Sequence, residues 1–167
     1  MSGAYRSIGI NRNDFMSLIQ MRPEGGAAFG TLEWVAYASN AFNTMVPFYA
    51  DVDETPEYLA NTTGEVSTEN FYWTSRMIAA MADASYGKSL FHVEHYQENV
   101  LAKSHALINQ YDALLADEKD PEKQMELKRK ANRKVAEMVQ KEASATLKKV
   151  LYELSNQMKN SYARSDV

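Results

Sequence analysis

Cysteine is absent from the 167 residues, and its absence excludes disulfides, thiolate metal ligands and a cysteine nucleophile within the chain. Long apolar runs are also absent, since no stretch approaches the roughly 18 residues that a membrane span requires. The chain has no basic excess, because its net charge is −4 and its pI is near 5.4. A nucleic-acid footprint would require a basic face. We therefore expect neither a nucleic-acid partner nor a membrane partner.

Glycine is missing after Gly87, and Pro121 is the only proline in that half of the chain. Glycine and proline break helices, so residues 88–167 are predicted to form long helices. The front half contains all seven glycines and reads as short strands and loops. The sequence therefore predicts an α+β fold, in which a few antiparallel strands are followed by three long helices. Residues 1–66 would supply strands and loops of a sheet, and residues 67–167 would form a helical region of the same larger domain.

Three segments have the composition of strands. Residues 15–21 and 31–38 are separated by the Pro/Gly-rich turn at residues 22–26, which favours an antiparallel pair. Residues 44–49 contain Pro47, so this segment is predicted to be an edge strand or no strand. The first two segments carry apolar side chains toward both faces, which is typical of a sheet covered on both sides. Because two or three strands cannot build such a sheet alone, we expect it to continue in polypeptide outside this chain.

Capping residues divide the second half into helices. Ser67 or Thr68 is predicted to cap the first helix, and Gly87 is predicted to end it. A second helix is predicted over residues 89–115. Asp120 followed by proline predicts the start of a third helix, with aspartate as the N-cap and proline in the first turn. Apolar spacing predicts that the first helix buries Trp73, Met77, Met81 and Ala84, and it places Leu114 and Met158 in the apolar stripes of the second and third helices.

Short motifs follow one another in a particular order between residues 6 and 115. They are Arg6–Ile10, Gln20–Pro23, Leu32–Trp34, Val46–Ala50, Thr55–Tyr58, Phe71–Trp73, and Glu94–Gln97 after Tyr86. In order and spacing they resemble the bacterial dipeptidase A family, the cysteine-nucleophile dipeptidases of peptidase family C69 among the N-terminal-nucleophile hydrolases. Members of that family are much longer than this chain. The resemblance therefore implies that these residues are the C-terminal portion of such a peptidase.

The resemblance also implies a fold and a reaction. The parent would be an αββα sandwich whose cysteine, freed at the mature N-terminus, is activated by its own α-amine and forms a thioester as a dipeptide is cleaved. That cysteine would lie upstream, so this chain alone is expected to be inactive. Its expected partners are the upstream part of the same enzyme and a dipeptide substrate. We further expect no cofactor, no metal, a cytoplasmic location and possible self-association.

Arg6 is the candidate catalytic side chain. In related amidases an arginine from a late strand lies near the nucleophile, where it orients that group or binds the substrate carboxylate, and a guanidinium fork suits either task. The chain departs from the family at Ser17, where members often have a histidine. This difference puts any proton-transfer role at that position in doubt. Arg22, at a strand end, is interpreted as an ordinary loop arginine.

Other charged groups have simpler interpretations. His92, His95 and Glu98 could form a metal face, but they lack the order of zinc-protease motifs, and a solvated helix face is favoured. The carboxylates of residues 51–54 are interpreted as a solvated loop. The basic residues within 128–134 are flanked by Glu122, Glu126, Glu137 and Glu142, which predicts an exposed helix with i,i+4 ion pairs.

Two alternatives to the peptidase remain open. The chain could be a non-catalytic helical interaction module, in which the front hairpin pairs with a partner and the long helices present a coiled-coil surface. It could also belong to a pseudo-peptidase that has the upstream sheet without its cysteine.

Overall fold

The described part of the chain combines a small antiparallel sheet with long helices, which confirms the α+β prediction. The computed structural model describes residues 13–39 and 41–158. The strands β1 (Phe15–Met21), β2 (Thr31–Tyr37) and β3 (Val46–Tyr49) lie in the order β1-β2-β3, and neighbouring strands are antiparallel. The helices are α1 (Gly26–Phe29), α2 (Glu57–Ala60), α3 (Phe71–Ala84), α4 (Tyr86–Asp117) and α5 (Pro121–Ser155).

The connection between β1 and β2 is tight and depends on glycine. Pro23–Gly25 form a 3-10 turn that leads into α1. Gly26 has φ of 49°, a left-handed conformation that side chains with a Cβ rarely adopt. A Cβ on Gly30 would lie 2.2 Å from the carbonyl oxygen of Gly26. The predicted turn is therefore present, with two short helical turns inside it.

The two faces of the sheet contact different apolar clusters. Side chains alternate along a strand, so Leu32 and Tyr49 point to one face and Val35 and Phe48 to the other. The first face packs against the second half of α4, through Ile108, Tyr111 and Leu115. The second face packs with α3, the first half of α4 and α5. The prediction of a sheet covered on both sides is thus confirmed for β2, and β3 is an edge strand of the described sheet, as Pro47 predicted.

Strand β1 differs from the other two strands because its large apolar side chains are exposed. The exposed fractions are 54% for Phe15, 52% for Leu18, 56% for Ile19 and 79% for Met21. Leu18 lies on the face of Trp34, whereas Ile19 lies on the opposite face, so both faces of β1 are open. Among the described residues β1 pairs only with β2, which leaves its outer edge without a neighbouring strand.

The opposite edge of the sheet is closed by a side chain of α5. Asn132 is 2% exposed. Its Oδ1 accepts a hydrogen bond from the backbone N–H of Tyr49 at 2.8 Å, and its Nδ2 donates to the carbonyl of Tyr49 at 3.0 Å. The amide therefore takes the place of a neighbouring strand at β3.

The helix boundaries correct two predictions. The α3 N-cap is Asn70, not Ser67 or Thr68, because the Asn70 side chain accepts the Trp73 N–H at 2.8 Å. The helix ends at Ala84 with Ser85 as its C-cap, and Gly87 lies inside the first turn of α4 and ends no helix. Ser85 leaves the helical conformation, with φ −128° and ψ 35°.

The start of α5 is confirmed, but the buried stripes of the long helices shift. Asp120 caps α5 by accepting the Glu122 N–H at 2.9 Å. Predicted stripe members Leu114 and Met158 are 47% and 74% exposed, because the buried positions are those that face the neighbouring helices. The buried residues of α3 are Phe71, Thr74, Ser75, Ile78, Ala79 and Ala82, a face offset from the predicted Trp73, Met77, Met81 and Ala84.

No helix in the described residues is both long and apolar enough to cross a bilayer.

Buried tyrosines predict a loss of stability at alkaline pH. Burial raises the pKa of Tyr58 to about 12, and burial also raises the pKa of Tyr96 well above its usual value. An unfolded tyrosine titrates near pH 10. Both side chains are nearly inaccessible, with exposures of 6% and 2%. Each phenol therefore contributes its full stability below about pH 10 and loses it as the pH rises toward the folded pKa, because the unfolded state loses its proton first.

We expect the free energy of unfolding to fall above pH 10 by about 1.4 kcal/mol per pH unit for each such tyrosine. Urea titrations at pH 8, 10 and 11 measure this slope. Tyr96→Phe should reduce it, whereas Tyr152→Phe, at a side chain that is 65% exposed, should not. Equal slopes in the two variants would contradict the assignment.

Candidate functional site

An open cleft lies where the start of β1 meets α3. It encloses about 610 Å³, and we call it the Ala38 cleft. Its volume is in the range of small-molecule sites, which are about 300–1,000 Å³. The lining includes small side chains, aromatic rings and charges of both signs: Ala38, Phe42, Arg76, Ala79, Asp83 and Tyr86.

The backbone of Ala38 is held in an unusual conformation at the wall of this cleft. Its φ is 65°, which costs about 1–2 kcal/mol for a residue with a Cβ. Its N–H donates to the carbonyl of Asp14 at 2.9 Å, and its carbonyl accepts from Asn43 Nδ2 at 3.0 Å. Gln97 on α4 in turn donates to the carbonyl of Asn43 at 2.7 Å. These bonds fix the wall of the cleft relative to α4.

A second polar cluster lies at the other end of the sheet. Arg22 Nη1 donates to Asp112 Oδ2 at 2.6 Å, and Tyr49 Oη donates to Asp112 Oδ1 at 2.8 Å. Arg22 also donates to the carbonyl of Phe29. The side chains of Arg22 and Asp112 are only 11% and 18% exposed. Burial, together with the hydrogen bond to Asp112, raises the pKa of Tyr49 far above its usual value. The cluster ties β1, β3 and α4 together.

This cluster corrects the interpretation of Arg22 as an ordinary loop arginine. The residue does end a strand, but its guanidinium is buried against a carboxylate that lies ninety positions further along the chain. It fixes the β1–β2 connection through Phe29. A structural role is therefore the simplest account of Arg22.

The acidic loop at residues 51–54 is paired with the basic residues of α5. Asp51 accepts from the buried Lys128 at 2.5 Å, Asp53 accepts from Arg129 at 2.6 Å, and Glu54 accepts from Arg133 at 2.5 Å. The hydrogen bond from Arg129 lowers the pKa of Asp53. The loop carboxylates are exposed, as predicted for a solvated loop, and α5 also forms internal pairs such as Lys134–Glu137. The pairing of the acidic loop with the basic residues of α5 was not predicted from the sequence.

The remaining sequence candidates do not converge on one site. Arg6 lies outside the described residues. Ser17 donates to Glu33 at 2.6 Å on the exposed strand β1. His92 pairs with Glu153 at 3.3 Å, and His95 stacks on Phe91 with ring centroids 6.1 Å apart. No group of three or more metal-ligating side chains converges within the described part of the chain.

Sequence reasoning missed the charged residues of the Ala38 cleft. Arg76 and Asp83 are seven positions apart on α3, with Ala79 and Ala80 between them. A spacing of seven places two side chains on the same helix face, so this signal was present in the sequence. The sequence did not predict that the loop after β2 packs opposite that face of α3.

Comparison with known proteins identifies the class. The family model for peptidase family C69 matches residues 2–99. This match covers more than half of the chain, and the chain therefore belongs to peptidase family C69.

Individual relatives agree with this assignment. The chain is 41% identical over 164 residues to "Probable dipeptidase A" of Streptococcus pyogenes serotype M18 (strain MGAS8232), covering 97% of this chain and 33% of the relative. It is 35% identical over 200 residues to "Dipeptidase" of Bifidobacterium longum (strain NCC 2705), covering 97% and 37%. "Dipeptidase A" of Lactobacillus helveticus is 31% identical over 108 residues, covering 65% and 23%. The chain thus spans about a third of the length of the first two relatives.

Proposed function

We propose that this chain is the C-terminal portion of a dipeptidase whose cysteine nucleophile lies in polypeptide upstream of it. The relatives named dipeptidase and the match to peptidase family C69 support the reaction class. The absence of cysteine from the chain supports an upstream nucleophile. Residues 1–66 and 67–167 would then be strands and covering helices of one αββα sandwich, and Arg6 would orient the nucleophile or bind the substrate carboxylate. The cytoplasmic location stays an expectation.

The observation that carries the proposal is the exposure of β1. One edge of the sheet is closed by Asn132, whereas β1 has an open edge and apolar side chains on both faces. Such a strand is a ready site for pairing with another strand. A relative of dipeptidase length supplies about twice as much additional polypeptide as this chain contains. An upstream strand of the same enzyme is therefore the proposed neighbour of β1.

Co-expression with the upstream two-thirds of a dipeptidase A relative tests this pairing. The two polypeptides are expected to copurify, and Ile19→Lys on β1 is expected to weaken copurification at least tenfold, because a charge would be buried in the extended sheet. Leu151→Lys on α5 is the matched control, since Leu151 is 49% exposed and Ile19 is 56% exposed.

Each other outcome favours a different function. Failure to copurify, with a stable monomer in solution, would favour the helical interaction module. Copurification without hydrolysis of any dipeptide would favour the pseudo-peptidase.

A further inference from the structure

One face of β1 is an apolar surface that carries a single charge. The alternate residues of β1 that share this face are Phe15, Ser17, Ile19 and Met21. Glu33 of β2 lies directly opposite Ile19 and therefore on the same face. The three apolar members are each more than half exposed. We call these five residues the Glu33 patch, and Glu33 is the only charged side chain in it.

Glu33 lies between apolar residues of both neighbouring strands. Its directly opposite residues are Ile19 on β1 and Phe48 on β3, and Phe48 is buried. The one side chain that donates to it among the described residues is Ser17, whose hydroxyl lies 2.6 Å from Glu33 Oε1. A hydroxyl donates one hydrogen bond, whereas a carboxylate accepts about four. The carboxylate therefore has capacity for further donors.

The charge of Glu33 is not balanced within the described part of the chain. Within residues 13–39 and 41–158 no lysine, arginine or histidine forms an ion pair with it. A neighbouring phenol responds to this charge, because the pKa of Tyr37 is raised by burial and, in addition, by Glu33. Ser17 supplies a hydrogen bond but no positive charge. The patch thus presents a negative charge that needs a counter-charge from elsewhere once water is removed.

Continuation of the sheet would remove that water. The exposed apolar side chains of the patch form a surface typical of an interface, and the open edge of β1 lies beside it. Burial of an ionised carboxylate without a positive partner is strongly unfavourable. A cationic side chain at hydrogen-bond distance supplies both the charge and additional N–H donors. An apolar patch with one carboxylate therefore fits a covering surface that is apolar except for one cation.

We propose that a layer of the upstream polypeptide covers the Glu33 patch and binds the Glu33 carboxylate through a lysine or arginine side chain. The layer itself rests on the proposed function, whereas the requirement for a cation follows from residues of this chain. Ser17 holds Oε1, and Oε2, which accepts no hydrogen bond from the described residues, receives the cation. Apart from its contribution to affinity, such a pair fixes the register of the layer against β1, because charge complementarity disfavours other alignments.

The direction of one affinity change tests this proposal. Glu33→Gln keeps the shape of the side chain and removes its charge. In the pair formed with the upstream two-thirds of a dipeptidase A relative, we expect this variant to raise the dissociation constant by about tenfold or more, because a buried cation would lose its counter-charge. If no cation were present, the same variant would remove an unpaired buried charge and tighten the pair. Dilution of the purified complex measures the dissociation constant.

Control variants separate the charge from the fold. Glu94→Gln, which removes an exposed carboxylate from α4, should leave the dissociation constant unchanged. Ser17→Ala removes the neutral hydrogen bond but keeps the charge, so it should weaken the pair less than Glu33→Gln does. The melting temperature of the chain alone should be nearly the same in all three variants, which shows that the change acts on binding.

A double-mutant cycle identifies the partner of Glu33. Each lysine and arginine of the upstream polypeptide is changed to methionine, alone and together with Glu33→Gln. One of these changes should weaken the pair alone and add little in the double variant, because both changes remove the same interaction.

Two kinds of result count against the cation. If Glu33→Gln tightens the pair or leaves it unchanged while the wild-type pair still hydrolyses leucyl-leucine, the cation is removed and the proposed function stands. Additive effects for every upstream lysine and arginine would lead to the same conclusion. Failure of the wild-type polypeptides to form any complex would remove the covering layer and the proposed function together.

Discussion

The 167-residue chain alone is expected to hydrolyse dipeptides on the order of 10⁶-fold more slowly than the same chain assembled with its upstream polypeptide. This factor is the loss of turnover that removal of a catalytic nucleophile typically causes. The chain contains no cysteine. No serine hydroxyl hydrogen-bonds to a histidine in the part of the chain that the structure describes, so no activated hydroxyl replaces the thiol there. An unactivated hydroxyl at its ordinary pKa is a weak nucleophile.

Leucyl-leucine turnover should be measured for the chain, for the upstream polypeptide and for the co-expressed pair. The pair should be active, and the pair in which the N-terminal cysteine is replaced by alanine should fall to the level of the chain alone. Turnover by the chain alone that survives repurification would contradict the proposed function.

The parts of the fold that were predicted correctly depend on local chemistry. The start of α5 needs only Asp120 and the proline after it, and both act within one helical turn. The antiparallel pairing of β1 and β2 similarly follows from a short Pro/Gly-rich connection. The start of α3 was misplaced because Ser67, Thr68 and Asn70 can all cap a helix. Burial of Phe71, which is fully inaccessible, places the boundary after Asn70.

The sites depended on contacts that are distant in sequence. Nothing near Arg22 predicts Asp112, because the pair forms only after α4 packs beside the sheet. The charges of the Ala38 cleft could be placed on one helix face from their spacing. Their functional interpretation needs the loop around Ala38, whose position is fixed by Asn43 and Gln97.

Asp112→Ala is expected to destabilise the protein by about 3 kcal/mol, because it leaves the Arg22 guanidinium in a largely buried position without its carboxylate. Tyr49 would also lose its 2.8 Å hydrogen bond. The expected change in melting temperature is a decrease of about 6–12 °C, at 2–4 °C per kcal/mol for a domain of this size. Thermal and urea unfolding of the co-expressed pair or of the chain measure the effect.

The double variant Arg22→Met/Asp112→Leu distinguishes an unpaired buried charge from a lost contact. Replacing both partners by apolar side chains removes the unpaired charge, so most of the lost stability should return. Glu137→Ala, which breaks the exposed Lys134–Glu137 pair, is the control and should change the melting temperature little. A double variant as unstable as Asp112→Ala would show that the stability arises from packing or from the Tyr49 hydrogen bond. In that case the Arg22–Asp112 ion pair would not be what secures the β1–β2 connection to α4.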